Sequence, residues 1–237
     1  SDPGTINYAG GESDPEAMKI IESYIGNSWV KEFHTYEDLR SFVDGEPVFG
    51  KLACLCKQRS DGTIKRRIIL DSKASGVTGV SRKMYKSELP RQTDLITSIL
   101  RLLSTCQAAE SVKLMVLDAE DAYWQVPLHP RERRFFCFRL IAPDGCVRYM
   151  VFLMTPQGSV GAPMRGAIEF GLVCRLVVSL IRDPVIPDSN EMQVYVDDPA
   201  TALRGTEETI AEQAALAIIG WAPVSYTHLT LPTILLV

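Results

Sequence analysis

The 237-residue sequence predicts a mixed α+β fold. Short apolar runs of strand length come in pairs around Asp-Gly turns, segments with helical spacing stand between them, and the two kinds do not alternate one to one as in a parallel array. Hydrophobic residues make up 46% and charged residues 23%, ordinary values that exclude wholesale disorder and a fibrous repeat. No stretch approaches the roughly 18 to 20 uninterrupted apolar residues of a membrane span. No basic-then-apolar leader opens the chain, so the expectation is an intracellular fragment of something longer, in cytoplasm or nucleus and without a membrane partner. Six cysteines are scattered with no CxxC pair and no histidine nearby. That pattern predicts reduced thiols and gives a zinc site little support.

The elements follow in order. Asp14-Pro15 before residues 16–25 reads as an N-cap, a proline at the first helical position and an amphipathic helix. Thr35 to Asp38 ahead of Leu39 and Phe42 reads as a capping box with Phe33 as a staple. Residues 48–70 form two β-rich pieces around Ser60-Asp61-Gly62-Thr63, a strong hairpin signal. Residues 71–91 are polar and loop-like, 94–103 a short helix and 112–117 a continuous apolar strand that ends in Asp118. Two further strand-like runs within 133–154 flank Pro143-Asp144-Gly145, a second hairpin. Helical spacing from Ile168 to Ile181 is stopped by Pro184 and Pro187. Strands return at 192–196 and 200–203, followed by a helix over 207–219.

Net charge is −4 overall, yet it is unevenly spread. Residues 1–50 carry ten acids and three bases, net −7, whereas residues 51–92 carry eleven bases and three acids, net +8. An acidic leader ahead of a basic segment suits a phosphate-binding role, and a solvated charged face gives the same count.

Two acidic sites stand where strands end: Asp118-Ala119-Glu120-Asp121 and Asp197-Asp198. Adjacent acids at turns are ordinarily solvated turn formers. Carboxylates converging from rigid strand ends are also what two Mg²⁺ ions about 3.5–4 Å apart require in nucleotide polymerisation.

Four segments in fixed order resemble the reverse transcriptase family of retroelements. "VLDAEDAYWQVPL" (116–128) is similar to its first palm motif, "TPQGSVGAP" (155–163) to its second and "YVDD" (195–198) to its third. "DGTIKRRIILD" (61–71) resembles the fingers segment that closes over the incoming nucleotide. The match spans about residues 48–222 and implies an RNA-directed DNA polymerase, a nucleotidyltransferase joining dNTPs to a primer 3′-hydroxyl on an RNA or DNA template.

Carried over, the resemblance implies Asp118, Asp197 and Asp198 as catalytic magnesium ligands, the Ala119 carbonyl as a further oxygen, and Mn²⁺ as the substitute ion. It implies that the backbone N–H groups of Asp121 and Ala122 meet the triphosphate and that Tyr123 is the steric gate against a 2′-hydroxyl. On its residues alone Tyr123 reads as a core aromatic on a strand. Arg67 matches the arginine that stacks on the incoming base and reaches the α-phosphate, and either Arg59 or Lys65 stands for the family's fingers lysine. Gln157 and Gly158 would line the nucleotide pocket and contact the template, glycine serving a close backbone approach.

The resemblance implies a right hand: an acidic leader at 1–45, fingers at 46–89 and 126–161, and palm at 90–125 and 162–222, with the thumb missing. Pro199 departs from the family's aliphatic residue; it lacks an N–H, pushes Asp198 toward an extended backbone and puts the hairpin register in question, at Asp198 more than at Asp197. Residues 224–237, "VSYTHLTLPTILLV", back-translate to a string resembling a transposase-type sequencing adaptor and are expected not to be native. The alternative reading is a truncated, catalytically inactive remnant that still binds nucleic acid through its basic fingers. The oligomeric state stays open.

Overall fold

A computed structural model describes residues 7–8, 14–81, 88–119, 121–142, 145–182, 186, 188–195 and 198–222, and the backbone alone of 233–236. In chain order the elements are α1 (Pro15–Gly26), β1 (Val30–Phe33), α2 (Tyr36–Phe42), β2 (Lys51–Gln58), β3 (Ile64–Asp71), α3 (Val77–Val80), α4 (Gln92–Ser104), β4 (Ser111–Val116), β5 (Cys137–Ile141), β6 (Val147–Phe152), α5 (Ala162–Ile181), β7 (Asn190–Tyr195), β8 (Asp198–Gly205), α6 (Glu207–Trp221) and β9 (Thr233–Leu236). Two short 3₁₀ turns, Ala122–Gln125 and Arg133–Phe135, join them. The fold is mixed α+β with antiparallel sheets. Among the described residues no helix is long and apolar enough to cross a membrane.

The chain divides into two compact units, one of residues 1–84 and 123–162, the other of residues 85–122 and 163–237.

The first unit holds the sheet β1-β6-β5 and the hairpin β2-β3. Asp14 caps α1 by accepting from the Glu16 amide at 2.9 Å, with Pro15 at the first helical position. Thr35 accepts from the Asp38 amide at 3.1 Å, and Phe33 packs on Phe42 with ring centroids 5.2 Å apart. Of the residues expected as an acidic leader, 14–45 are thus built into this unit. Ile21 of α1 and Val30 of β1 share a core with Leu52, Ile68, Leu70, Trp124, Phe138 and Phe152. Strand β1 is four residues long and pairs with β6, Val30 opposite Phe152, a partner far away in sequence. Arg148 ties the same three elements together. Its guanidinium donates to both Glu32 carboxylate oxygens, at 2.5 and 2.8 Å, and to Glu22 at 2.7 Å. The pairing holds the Glu32 carboxyl below its ordinary range.

Hairpin β2-β3 closes through Asp61, whose side chain accepts from the amide and hydroxyl of Thr63, and through Gly62 at φ +83°. Residues 77–80 form the single turn α3 inside the stretch expected to be loop.

In the second unit β4, α5, β7, β8, α6 and β9 follow one another as βαββαβ, with the first unit's 123–162 inserted between β4 and α5. The sheet order is β7-β8-β4-β9 with every neighbour antiparallel, the split βαβ arrangement. Residues 233–236, within the stretch resembling adaptor translation, pair with β4. Strand alternation sends Met115, Leu117 and Leu203 against Phe170, Cys174 and Val177 of α5 and Ile210, Ala214 and Trp221 of α6. Val112 and Ala202 point the other way, onto Leu102 of α4. Helix α5 ends at Ile181; Pro184 and Pro187, expected to stop it, lie outside the described residues.

Candidate functional site

The acids of the second unit stand at one end of its sheet. Strands β4 and β8 run antiparallel with Val116 opposite Ala200, and the Leu117 amide donates to the Pro199 carbonyl at 3.0 Å. Carrying that register one step further sets Asp118 level with Asp198. Both carboxylates are exposed, between a buried Leu117 on one strand and a buried Pro199 on the other. Alternation also fixes their face: Val112 and Ala202 look toward α4, and stepping by two along each strand brings Asp118 and Asp198 to the same side. Gln193, opposite Ala200 on that side, donates to the Ser98 hydroxyl of α4 at 3.0 Å. Continued register thus brings two acids, eighty residues apart in sequence, to one end and one face of the sheet.

Pro199 leaves the hairpin register intact. It pairs with Val194, and Tyr195 pairs with Asp198, so β7 and β8 are joined by residues 196 and 197. Asp197 and Glu120 lie outside the described residues. Ala119 is buried against the α5 and α6 core, which anchors the backbone just past Asp118.

The next residues turn sharply. Asp121 takes φ +53°, a left-handed conformation unusual for a side-chain-bearing residue, and is exposed. Ala122 is buried and opens the 3₁₀ turn. A left-handed residue running into a tight turn aims successive backbone N–H groups into a concavity that suits an anion. Tyr123 therefore sits on a 3₁₀ turn and not on the strand its apolar surroundings suggest; it is half-buried, and its carbonyl accepts from the Val126 amide at 3.2 Å. Its neighbour Trp124 is the buried anchor, stacked on Trp29 with centroids 5.2 Å apart and planes 2° from parallel.

Arg67, Gln157 and Gly158 belong to the first unit. Arg67 is exposed on β3 opposite Leu55 and makes no ion pair among the described residues. Lys57 and Lys65, paired across the strands, share its face, while Arg66, Ile68 and Leu70 take the other. Asp71, which closes the segment resembling the fingers motif, accepts from the Tyr8 hydroxyl at 2.7 Å and from the amides of Lys73 and Ala74. Those donors hold its carboxyl below the usual range and make it a turn-forming group.

The Gln157-Gly158 corner lies directly on β3. The Leu70 amide donates to the Gln157 carbonyl at 3.4 Å, and the Ser72 hydroxyl to the Gly158 carbonyl at 3.4 Å. Gly158 has φ +96°, and a β-carbon there would lie 2.7 Å from Ile69 Cγ2 and 3.0 Å from the Leu70 carbonyl oxygen. Within the chain, what approaches this glycine closely is hairpin β2-β3.

Within the second unit, then, Asp118 and Asp198 share a register level and a face, and within the first Gln157 and Gly158 meet the β3 segment that carries Arg67. Among the described residues one group offers three metal-ligating atoms within 4.8 Å of one another, and it is Asp14, Cys54 and Cys56, not the acids of the sheet end. No signal in the sequence placed Asp14 beside the two thiols. No protein-family model matches the chain.

Proposed function

We propose that the chain carries the fingers and palm of an RNA-directed DNA polymerase of the retroelement kind. The observation that carries this reading is the β4–β8 register, which sets Asp118 level with Asp198 on one face of a sheet end, with Asp197 next to Asp198 in sequence. The four motif-like segments in order support it, as does the connectivity: residues resembling fingers fall in one unit and those resembling palm in the other, within a few residues.

In this reading the primer 3′-oxygen loses its proton and attacks the α-phosphorus of a deoxynucleoside triphosphate, forming a phosphodiester as the bond to pyrophosphate breaks. Asp118, Asp197 and Asp198 offer hard carboxylate oxygens, and two of them are exposed and paired by register. That donor set fits Mg²⁺, or Mn²⁺ in its place, which when bound would offset the negative charge gathered between primer oxygen and triphosphate. The Asp121–Ala122 backbone turns its N–H groups toward phosphate, and the half-buried ring of Tyr123 excludes a 2′-hydroxyl. Arg67, exposed and without an ion pair among the described residues, is available for the base and α-phosphate.

The test is primer extension by a protein that contains this chain, with an RNA template, a DNA primer, dNTPs and Mg²⁺. Asp118→Asn and Asp197→Asn are each expected to slow extension by roughly 10²- to 10³-fold, the scale of losing one preorganised electrostatic group. Undiminished extension in both variants refutes the assignment. The exposed basic face of β2-β3 also favours a second reading, a nucleic-acid-binding remnant. Salt-dependent binding of primer–template that Asp197→Asn leaves unchanged, with no extension by the parent, selects it.

A further inference from the structure

Away from the acids of the sheet end, three potential ligands meet where α1 begins against hairpin β2-β3. Cys54 and Cys56 are two residues apart on β2, so their side chains leave the same face of the strand. Their sulfurs lie 4.0 Å apart. Asp14, the N-cap of α1, brings a carboxylate oxygen to within 4.8 Å of both. Arg66 stands opposite Cys56 on β3 and donates from Nε to Asp14 Oδ2 at 2.8 Å.

We propose that Asp14, Cys54 and Cys56 form a binding site for a thiophilic divalent ion of the zinc and cadmium type. Two sulfurs on a tetrahedral zinc ion, each about 2.3 Å from it, stand about 3.8 Å apart. The observed spacing needs only a small closure. A direct disulfide is poorly suited, because residues i and i+2 of a strand have Cα atoms about 6.8 Å apart, at the outer limit for bridging. Asp14 keeps coordinating capacity: its carboxylate accepts from the Glu16 and Ala17 amides and from Arg66, fewer donors than its about four lone-pair sites. Charge also balances. Two thiolates and a carboxylate with a divalent ion leave one negative charge, which the Arg66 guanidinium offsets. The fourth position is open to water, since Cys56 is exposed. The ion takes the thiolate forms, so its binding displaces the thiol protons. The ion would clip the first turn of α1 to the middle of the hairpin.

The test uses the whole chain, reduced with a phosphine and held in excess Mg²⁺ so that oxygen-only sites are filled. Cd²⁺ titration, read by thiolate-to-cadmium charge-transfer absorption, is expected to saturate at one ion per chain, and added Zn²⁺ to bleach the band. Cys54→Ser and Cys56→Ser should each weaken binding by about 100-fold and Asp14→Asn by about 10-fold, while Cys146→Ser, at another exposed thiol, leaves it unchanged. Zn²⁺ should raise the thermal midpoint of the parent and not that of the Cys54→Ser/Cys56→Ser double variant. No band in the parent, or the same band in the double variant, overturns the proposal. Because the readout is thiolate absorption in excess Mg²⁺, its outcome is independent of polymerase activity.

Discussion

Gly158→Ala tests whether the Gln157-Gly158 corner is held by contact with β3. Alanine would carry its β-carbon at φ +96°, a cost of about 1–2 kcal/mol for an L residue in left-handed backbone. That carbon would also sit 2.7 Å from Ile69 Cγ2 and 3.0 Å from the Leu70 carbonyl oxygen, where carbon pairs rest at about 3.5–4 Å. Overpacking of this kind costs about 1–3 kcal/mol, and a stiffer unfolded chain returns about 0.4–1 kcal/mol. The net expectation is a loss of about 2–4 kcal/mol.

Urea unfolding followed by tryptophan fluorescence measures it, since the stacked Trp29 and Trp124 lie in the same unit as Gly158. Ile69→Ala separates the two costs. It removes the methyl but neither the Leu70 carbonyl nor the backbone conformation, so the double variant should recover about 1–2 kcal/mol of coupling and no more. A Gly158→Ala protein within about 0.5 kcal/mol of the parent would show that the corner yields freely and that glycine is not required there.

Arg148→Met is expected to destabilise the chain by about 1.5–3 kcal/mol near neutral pH, by removing charge-assisted hydrogen bonds to Glu32 and Glu22. Because Arg148 lowers the Glu32 carboxyl from its ordinary 4.5, this contribution is full above that value and is lost as pH falls below it. The urea midpoint of the parent should therefore fall more steeply below pH 4.5 than that of the variant, and parallel curves would refute the linkage. Pro199→Val restores a backbone N–H in β8 facing Leu117. Hydrogen exchange should find that new amide protected, and exchange at the rate of a free peptide would place the end of the β4–β8 ladder before residue 199.

Local signals carried most of the secondary structure. The Asp14-Pro15 start, the Thr35 cap, the Asp-Gly hairpin and the 3.6-residue spacing of α5 each act within a few residues, and each stands where its chemistry puts it. Strand β1 escaped because "VKEF" is too short to show alternation and pairs with β6 more than a hundred residues away. Tyr123 was misplaced because "AYWQV" has strand composition, while the left-handed Asp121 before it commits the backbone to a turn. At the candidate site, residue types were legible and their partners were not. Nothing in the sequence sets Asp118 level with Asp198, which follows from sheet register, and nothing sets Asp14 beside Cys54 and Cys56, which follows from α1 docking on the hairpin. The closeness of Gly158 was legible as a need for glycine, but the surface it approaches was not.

Pro199 connects the architecture of the second unit to the exposure of its acids. Strand β8 is central, with β7 on one side and β4 on the other, a place where proline is seldom tolerated. Its partner Val194 is one step in from the Tyr195–Asp198 pair that closes the hairpin, so within the alternating antiparallel ladder the missing N–H falls on the side of β4. There the Leu117 amide still donates to the Pro199 carbonyl, but no bond returns. The loss is about 0.5–1.5 kcal/mol, small against a β8 whose residues from Thr201 to Gly205 are all buried. Its structural consequence is larger than its energy. Pairing between β4 and β8 is cut by half at Leu117, and the chain leaves the sheet one residue later, at Asp118. The carboxylate is thereby carried on a strand anchored through Leu117 and Ala119 in the helical core, yet its own position is past the last complete rung, where water or a cation can reach it. A residue with an N–H at 199 would extend the ladder toward the acids, so the proline acts on their surroundings and not on their alignment.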